Sequence, residues 1–311
     1  MTITAKIIAD STSPDNIRLT TMQLRYPRFI HAEFMTHRVF SRNASSSRAI
    51  PVERLIQDII DDTAMPIHWG KNQKGMQADE ENHNLIEYPD HIDRGLNNGR
   101  PWTAWGEARD RAVEMARAFD AAGYHKQIVN RLLEPFSHIN VVVTSTDWAN
   151  FFALRDHKDA QPEIQALAGA MRLGMGHSTP RPLNPGEWHL PYITEEDYHV
   201  VVGSHRDGGS TDLRKISAAR CARVSYMTHD GKRPRVDADL KLYDQLMGGE
   251  IVHASPTEHQ ATPDDRGTTG PVIPGRPLIR TNWLNPRLHG NLEGWIQHRK
   301  LIPNENQTEE A

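Results

Sequence analysis

Apolar and polar residues alternate along "RLTTMQLRYPRFIHAEFMTHR", on both sides of Pro27. A period of two marks a strand with one buried face. Met22, Leu24 and Tyr26 then share a face, and Phe29, His31 and Glu33 follow in phase after the proline. Proline donates no ladder hydrogen bond. The pattern therefore predicts two short strands with a break, or one bent strand at a sheet edge. "IPVERLIQDIIDD" changes to helical spacing, with Leu55, Ile56, Ile59 and Ile60 on one side. Residues 62–101 lose periodicity and read as a loop excursion or a lid.

"TAWGEARDRAVEMARAFDAAG" predicts a helix ended by Gly123, and "HKQIVNRLLEPF" a short one that stops at Pro135. The β-branched run opening "HINVVVTSTDWANFFALR" is either a buried strand or a lead-in to a helix. "AQPEIQALAGAMRLGM" is helical, with Pro162 in the first turn. Residues 178–212 read as a long connection, followed by helices in "SAARCARVS" and "DADLKLYDQLMGG", the second closed by Gly248 and Gly249. Residues 260–277 read as a loop, and "NLEGWIQHRKLIPNENQTEEA" as a short amphipathic piece with a polar tail. The expected architecture is α+β, without the βαβ alternation of a dinucleotide-binding sheet. A single domain, 1–311, would be built from segments 1–177 and 212–311, joined by 178–211.

Composition narrows the function classes. The net charge of -4 argues against a general nucleic-acid coat, which needs a basic surface to release counterions. No apolar run approaches the ~18 residues of a membrane span, and the first residues lack the basic start and apolar core of a secretory signal. Cytoplasmic localisation is expected. Cys221 is the only cysteine, so intramolecular disulfides and cysteine-rich metal centres are excluded. Among the 17 histidines no HExxH occurs, and no metal site is expected.

Against that background "FMTHRVFSRNASSSRAI", Phe34–Ile50, stands out. It holds Arg38, Arg42 and Arg48, four serines (Ser41, Ser45, Ser46, Ser47) and no acid. Planar guanidinium donors and hydroxyls suit a phosphate ester or a pyrophosphate. A solvated basic turn capping the next helix is the plainer reading. In "NFFALRDHKDAQPEI", Asn150 and Arg155 share a helical stretch among apolar residues. A partly desolvated arginine there needs a partner, either a ligand or Glu163. "VHASPTEH" contains His253, Ser255 and Glu258 and by itself reads as a helix cap. "QHRKLIPNE" repeats the His-Arg pair as His298-Arg299, with Asn304-Glu305 following.

Together these stretches resemble the flavin-dependent thymidylate synthases. The family's RHRxxSxNExSxR is similar to "THRVFSRNASSSR", which keeps His37, Arg38, Ser41, Asn43, Ser46 and Arg48. Thr36 stands where the family has Arg, and Ala44 where it has Glu. "HKQIVNRLLEPF" resembles KExxR…LP, and "NFFALRDHKDAQPEI" closely resembles NFLxLRxxxxAQxEI. "CARVSY" and "HASPTEH" resemble ARVS and HxSPFEH, which in the family precede RHR but here follow it. With the second partial motif at the end, the order resembles a circular permutation, with Glu305 standing in for the acid missing at Ala44.

The resemblance implies the family's α+β fold, a central antiparallel sheet with flanking helices, in a homotetramer with shared active sites. It implies FAD, NADPH as reductant, methylenetetrahydrofolate as one-carbon donor, and a nucleoside monophosphate substrate, with dUMP converted to dTMP. Arg155 and His253 take the catalytic positions. Glu33, Ser45, Ser46, Ser47, Arg48 and Arg131, with Arg155, take the nucleotide positions. Thr36, His37, Arg38, Asn43, Asn150, Ser255, His298, Arg299 and Glu305 take the flavin positions. Glu33 stands where the family has Gln beside the nucleotide, which opens dCMP as a substrate, or hydroxymethyl transfer. Loss of catalysis with Thr36 and Ala44, leaving a nucleotide- or flavin-binding protein, is the other reading.

Overall fold

Strand β1 (Thr4–Thr12) pairs antiparallel with β2 (Arg18–Pro27), from Thr4 opposite Arg25 to Thr12 opposite Arg18. A computed structural model describes residues 2–75, 78–90, 95–204, 210–224, 235–249, 252–269 and 279–306. Met22, Leu24 and Tyr26 are fully buried, as their alternation predicts. However, β2 lies in the middle of its sheet rather than at an edge. Pro27 is tolerated because it is the strand's last paired residue, opposite His138. No second strand follows it. The chain instead winds into a 3-10 turn (Arg28–Ile30) and helix α1 (His31–Phe34). Ile30 and Phe34, four apart, bury in place of Phe29, His31 and Glu33.

Strand β3 (Ser41–Ala44) follows, then α2 (Val52–Asp61). Helix α2 buries Val52, Leu55, Ile56 and Ile59, whereas Ile60 points outward at 44% exposure. The 62–101 excursion is not loop throughout, because β4 (Ile86–Pro89) and β5 (Leu96–Gly99) form a hairpin in it. Helix α3 (Pro101–Ala121) ends before Gly123, whose φ of +84° suits a residue without Cβ. Helix α4 (Lys126–Val129) covers only the start of the predicted helix, and Pro135 lies inside a later 3-10 turn, Glu134–Phe136.

The β-branched run is a strand, β6 (His138–Ser145), and α5 (Ala149–Arg155) and α6 (Pro162–His177) follow. Beyond β7 (Arg181–Pro182), the expected long connection carries α7 (Glu195–Ser204) and the start of α8 (Ser210–Arg223). Helix α9 (Val236–Met247), β8 (Ala261–Pro263), β9 (Arg266–Thr269), β10 (Ile279–Trp283) and β11 (Trp295–Gln297) complete the order. Part of the 260–277 stretch is therefore strand, and 270–277 lies outside the described residues.

The main sheet runs β3-β6-β2-β1-β7. It is antiparallel except for the short β7, which pairs parallel with β1, so the expected antiparallel sheet is in fact mixed. One face packs Met22, Leu24, Val141 and Val143 against Ile164, Leu167 and Met171 of α6. The opposite face offers Val142 to Cys221 of α8, and Leu19 to Trp295 of β11. Burial on both faces makes β2 and β6 the centre of the molecule.

A line of buried polar groups crosses that second face. Ser11 Oγ lies 2.8 Å from His189 Nδ1, and His189 Nε2 lies 2.8 Å from Thr21 Oγ1. Thr21 Oγ1 meets Thr144 Oγ1 at 2.7 Å, and Thr144 Oγ1 meets His259 Nδ1 at 2.8 Å. His259 Nε2 then lies 3.3 Å from the Asn43 amide. Burial lowers the pKa of both histidines to about 3, so each ring is neutral, with one donor and one acceptor. Turning Asn43 so that its amide nitrogen faces Arg42 O (3.0 Å) and Ser255 O (3.1 Å) uses both amide N–H groups on those carbonyls.

A buried ionic cluster joins the last three helices. Asp239 of α9 accepts from Arg220 Nε (2.9 Å) and Arg223 Nε (2.8 Å) of α8. Asp197 of α7 accepts from Arg220 Nη1 (2.6 Å) and Nη2 (2.8 Å). Asp239→Ala leaves arginine charge uncompensated and is expected to cost about 3–5 kcal/mol, read from urea denaturation. The buried histidines predict an acid sensitivity. Unfolding lets both rings take up protons that the folded state refuses. Stability should therefore fall as pH drops from about 6.5 toward about 3, by up to ~1.4 kcal/mol per pH unit for each ring. His189→Gln should make the decline of the denaturation midpoint between pH 7 and 5 shallower, and an unchanged slope would contradict this.

Candidate active site

Helix α5 delivers Arg155 from its last turn. Phe151 anchors the helix, packing edge-on to Phe34 (5.8 Å) and His37 (4.9 Å). Four residues on, Arg155 reaches the loop after α1. Its Nη1 forms an ion pair with Glu33, its Nε lies 3.0 Å from His37 Nε2, and its Nη2 lies 3.5 Å from Thr36 Oγ1. The Glu163 alternative is not realised. Glu163 is buried and accepts instead from Ile67 N (2.7 Å) and Gln161 Nε2 (3.1 Å).

His37 is buried, and its pKa is lowered by burial first and by the Arg155 and Arg42 charges second. A neutral ring accepting from Arg155 at Nε2 keeps its proton on Nδ1. Arg42 fixes the same loop from behind, donating to Met35 O and His37 O, both at 3.1 Å. Glu33 and Arg155 face a cavity of about 700 Å³, with Phe29, Pro66, His68 and Trp105 among its walls. The polar excursion thus supplies part of the wall. Trp105 Nε1 donates to Ala64 O (3.0 Å), and His68 Nε2 lies 2.7 Å from Ala78 O.

Beside the cavity lies the serine loop. The serines do not cap α2, whose N-cap, Pro51, has no side-chain hydrogen bond. They turn toward the stretch before β6. Ser47 Oγ donates to Glu134 Oε1 (2.6 Å), as does Arg131 Nη1 (2.9 Å). Ser45 Oγ accepts from Asn140 N (3.0 Å), and its carbonyl accepts from Arg28 Nη2 (3.2 Å). Asn130 Nδ2 holds the loop's exit through Ser47 O (2.7 Å) and Ile50 O (2.9 Å). Ser46 is half-buried and Arg48 exposed. Sequence reasoning missed Arg28, Asn130 and Glu134. The one signal was an arginine directly after a strand-ending proline.

The far end of the chain reaches the same loop. The 3-10 turn Ser255–Glu258 packs on β3, with His259 at Asn43. It is no capping box, since its N-cap, Ala254, has no side-chain bond and Glu258 pairs with Arg299. Arg299 Nε also meets Glu305 Oε2 at 2.5 Å. His298 goes elsewhere, stacking on Tyr243 (6.1 Å) and edge-on to Trp188 (5.9 Å). Burial, then Arg214, lowers its pKa to about 3. Arg38, Asn150, His253 and Ser255 are exposed. Among the described residues the side chains of Arg38, Asn150 and Ser255 make no hydrogen bond. Unengaged cationic, amide and hydroxyl donors fit a large phosphorylated cofactor lying on the surface.

Residues 8–181 match the model of the thymidylate synthase complementing protein family. No curated protein matches this chain. It is similar to two solved structures of the UMP/dUMP methylase PolB from Streptomyces cacaoi. One, bound with 5-Br UMP, is 16% identical with a TM-score of 0.41, covering 56% of this chain and 89% of that one. The other, bound with 5-Br dUMP, is 17% identical with a TM-score of 0.39, covering 57% and 90%. The family match takes in more than half of this sequence, including Glu33, His37, the serine loop, Arg131 and Arg155. The chain belongs to the thymidylate synthase complementing protein family and is a flavin-dependent thymidylate synthase-like enzyme.

Proposed function

We propose that this enzyme transfers a one-carbon unit from methylenetetrahydrofolate to C5 of a pyrimidine deoxynucleotide, converting dUMP to dTMP, with FAD bound and NADPH as reductant. The observation that carries the reading is Arg155, held by Glu33 and His37 at the wall of a cavity large enough for a ligand. C5 of uracil must be made nucleophilic. A thiol attacking C6 is one route, but Cys221 is fully buried against the sheet and burial raises its pKa. A fixed guanidinium against the base is another, because it stabilises negative charge as it develops on the ring. Arg155 fills that role.

Ser46, Arg48 and Arg131, with Ser45 and Ser47, hold the nucleotide's phosphate. Arg38, Asn150 and Ser255, with His37, Thr36 and Asn43, hold the flavin, which supplies the reducing equivalents. His253 stands exposed where flavin and folate would meet. Arg299, paired with both Glu258 and Glu305, holds the SPTE turn beside them, and His298 buttresses that segment. Met35 (41%), Val39 (46%) and Leu154 (53%), sequence neighbours of Thr36, Arg38 and Arg155, are exposed apolar residues. Exposed apolar side chains suit active sites shared between subunits of a homotetramer. A circularly permuted, single-domain family fold accounts for ARVS and SPTE arriving late in the chain yet packing on β3 and β6.

A second reading rests on Glu33, a carboxylate at the cavity wall. It can accept from the 4-amino group of cytosine, which favours dCMP, or hydroxymethyl transfer to that base. In Glu33→Gln, turnover with dUMP and dCMP offered together should shift toward dUMP, read by mass spectrometry of the products. Unchanged preference would remove this reading. Arg155→Ala is expected to lower tritium release from C5-labelled dUMP by ~100-fold or more while flavin absorbance is retained. Near-normal rates would overturn the assignment.

A further inference from the structure

The polar excursion after α2 carries none of the motifs that mark the site. It nevertheless supplies Pro66, His68, Gly70, Ala78 and Asp79 to the cavity that Glu33 and Arg155 face. Two short runs of it make one body. Lys71 N donates to Glu80 O (2.7 Å) and Asn82 N to Trp69 O (2.8 Å), and Gly70 bridges Glu81 between them. His68 Nε2 lies 2.7 Å from Ala78 O. A Cβ at Gly70 would run into Ala78, so this close approach requires glycine.

An isolated pair of short extended runs is marginal in water, so the position of this wall depends on what fastens it. Trp105 Nε1 of α3 holds Ala64 O at 3.0 Å. Glu163, in the first turn of α6, accepts from Ile67 N at 2.7 Å across 96 positions of chain. The Ile67 side chain is 46% exposed, so apolar packing does not replace that bond. Glu163 is buried, and its other oxygen accepts from Gln161 Nε2 (3.1 Å). Among the described residues no cation pairs with it. Its helix follows the turn that begins after Arg155, and Lys158, Ala160 and Gln161 of that turn line the same cavity. One buried carboxylate therefore ties the excursion to the corner that carries Arg155. We propose that Glu163 is a positioning residue: by holding Ile67 N it sets the excursion wall at the distance that fits the nucleotide, and so acts on substrate binding rather than on the chemical step. The identity of that ligand rests on the proposed function.

Tritium release from C5-labelled dUMP, together with hydrogen exchange read by mass spectrometry, tests this on the full chain with its flavin. In Glu163→Ala the KM for dUMP should rise about tenfold while kcat stays within about threefold. Exchange of residues 67–70 and 78–82 should quicken while β2 and β6 stay protected. Glu163→Gln keeps an acceptor for Ile67 N and should hold KM within about threefold of wild type. Ile67→Pro removes the donor instead and should match Glu163→Ala. In wild type, saturating dUMP should slow exchange of the same residues. An unchanged KM in Glu163→Ala overturns the proposal, and so does dUMP that leaves the wall's exchange unaltered. Should Glu163→Ala fail to fold, Ile67→Pro and the wild-type exchange decide by the same criteria. Absence of tritium release from wild type would defeat the proposed function, whereas normal turnover with unchanged exchange in Glu163→Ala would defeat this inference alone.

Discussion

Thr144 sits at the junction on which the site depends. Its hydroxyl joins Thr21, and through it His189 and Ser11, to His259 and Asn43. All of these groups are buried, where an unpaired donor or acceptor costs about 1–3 kcal/mol. The line of bonds therefore tolerates little slippage of any strand. It ties β1, β2, β6 and β3 to two segments beyond residue 180, carrying His189 and His259. The SPTE turn is thereby fixed against the loop that bears His37.

Around that frame three of the site's arginines are paired before any ligand arrives. Arg155 is paired with Glu33, Arg131 with Glu134, and Arg299 with Glu258 and Glu305. Glu33 and Glu258 come from distant parts of the chain, whereas Glu134 and Glu305 are near neighbours of their arginines. Partly desolvated guanidinium groups require such partners.

The buried ionic cluster of Arg220 with Asp197 and Asp239 works on a different part of the molecule. It joins α7, α8 and α9 into one unit, which α8 packs on the sheet through Cys221 and Val142. Arg220, which reaches this cluster most deeply, lies just upstream of the "CARVSY" stretch, and Arg223 of that stretch shares Asp239. Charge pairing there serves packing.

Local periodicity settled much of this protein. The alternation of Met22, Leu24 and Tyr26, the helical spacing of Leu55, Ile56 and Ile59, and the stop at Gly123 all act through near neighbours, so they can be read from the sequence. The motifs around His37 and Arg155 were legible as chemistry for the same reason, since residue type and short spacing define a donor set. Tertiary structure decided the rest. Whether the chain after Pro27 became strand or helix depended on Ile30 and Phe34 finding a common core. The partner of Arg155 depended on which of two acids, Glu33 or Glu163, folding brought within reach. Arg28, Asn130 and Glu134 have no motif of their own. Asn130 and Glu134 act on serine-loop residues 80 to 87 positions away, and Arg28 on Ser45 and Glu134, and pairing over such separations leaves no trace in local pattern.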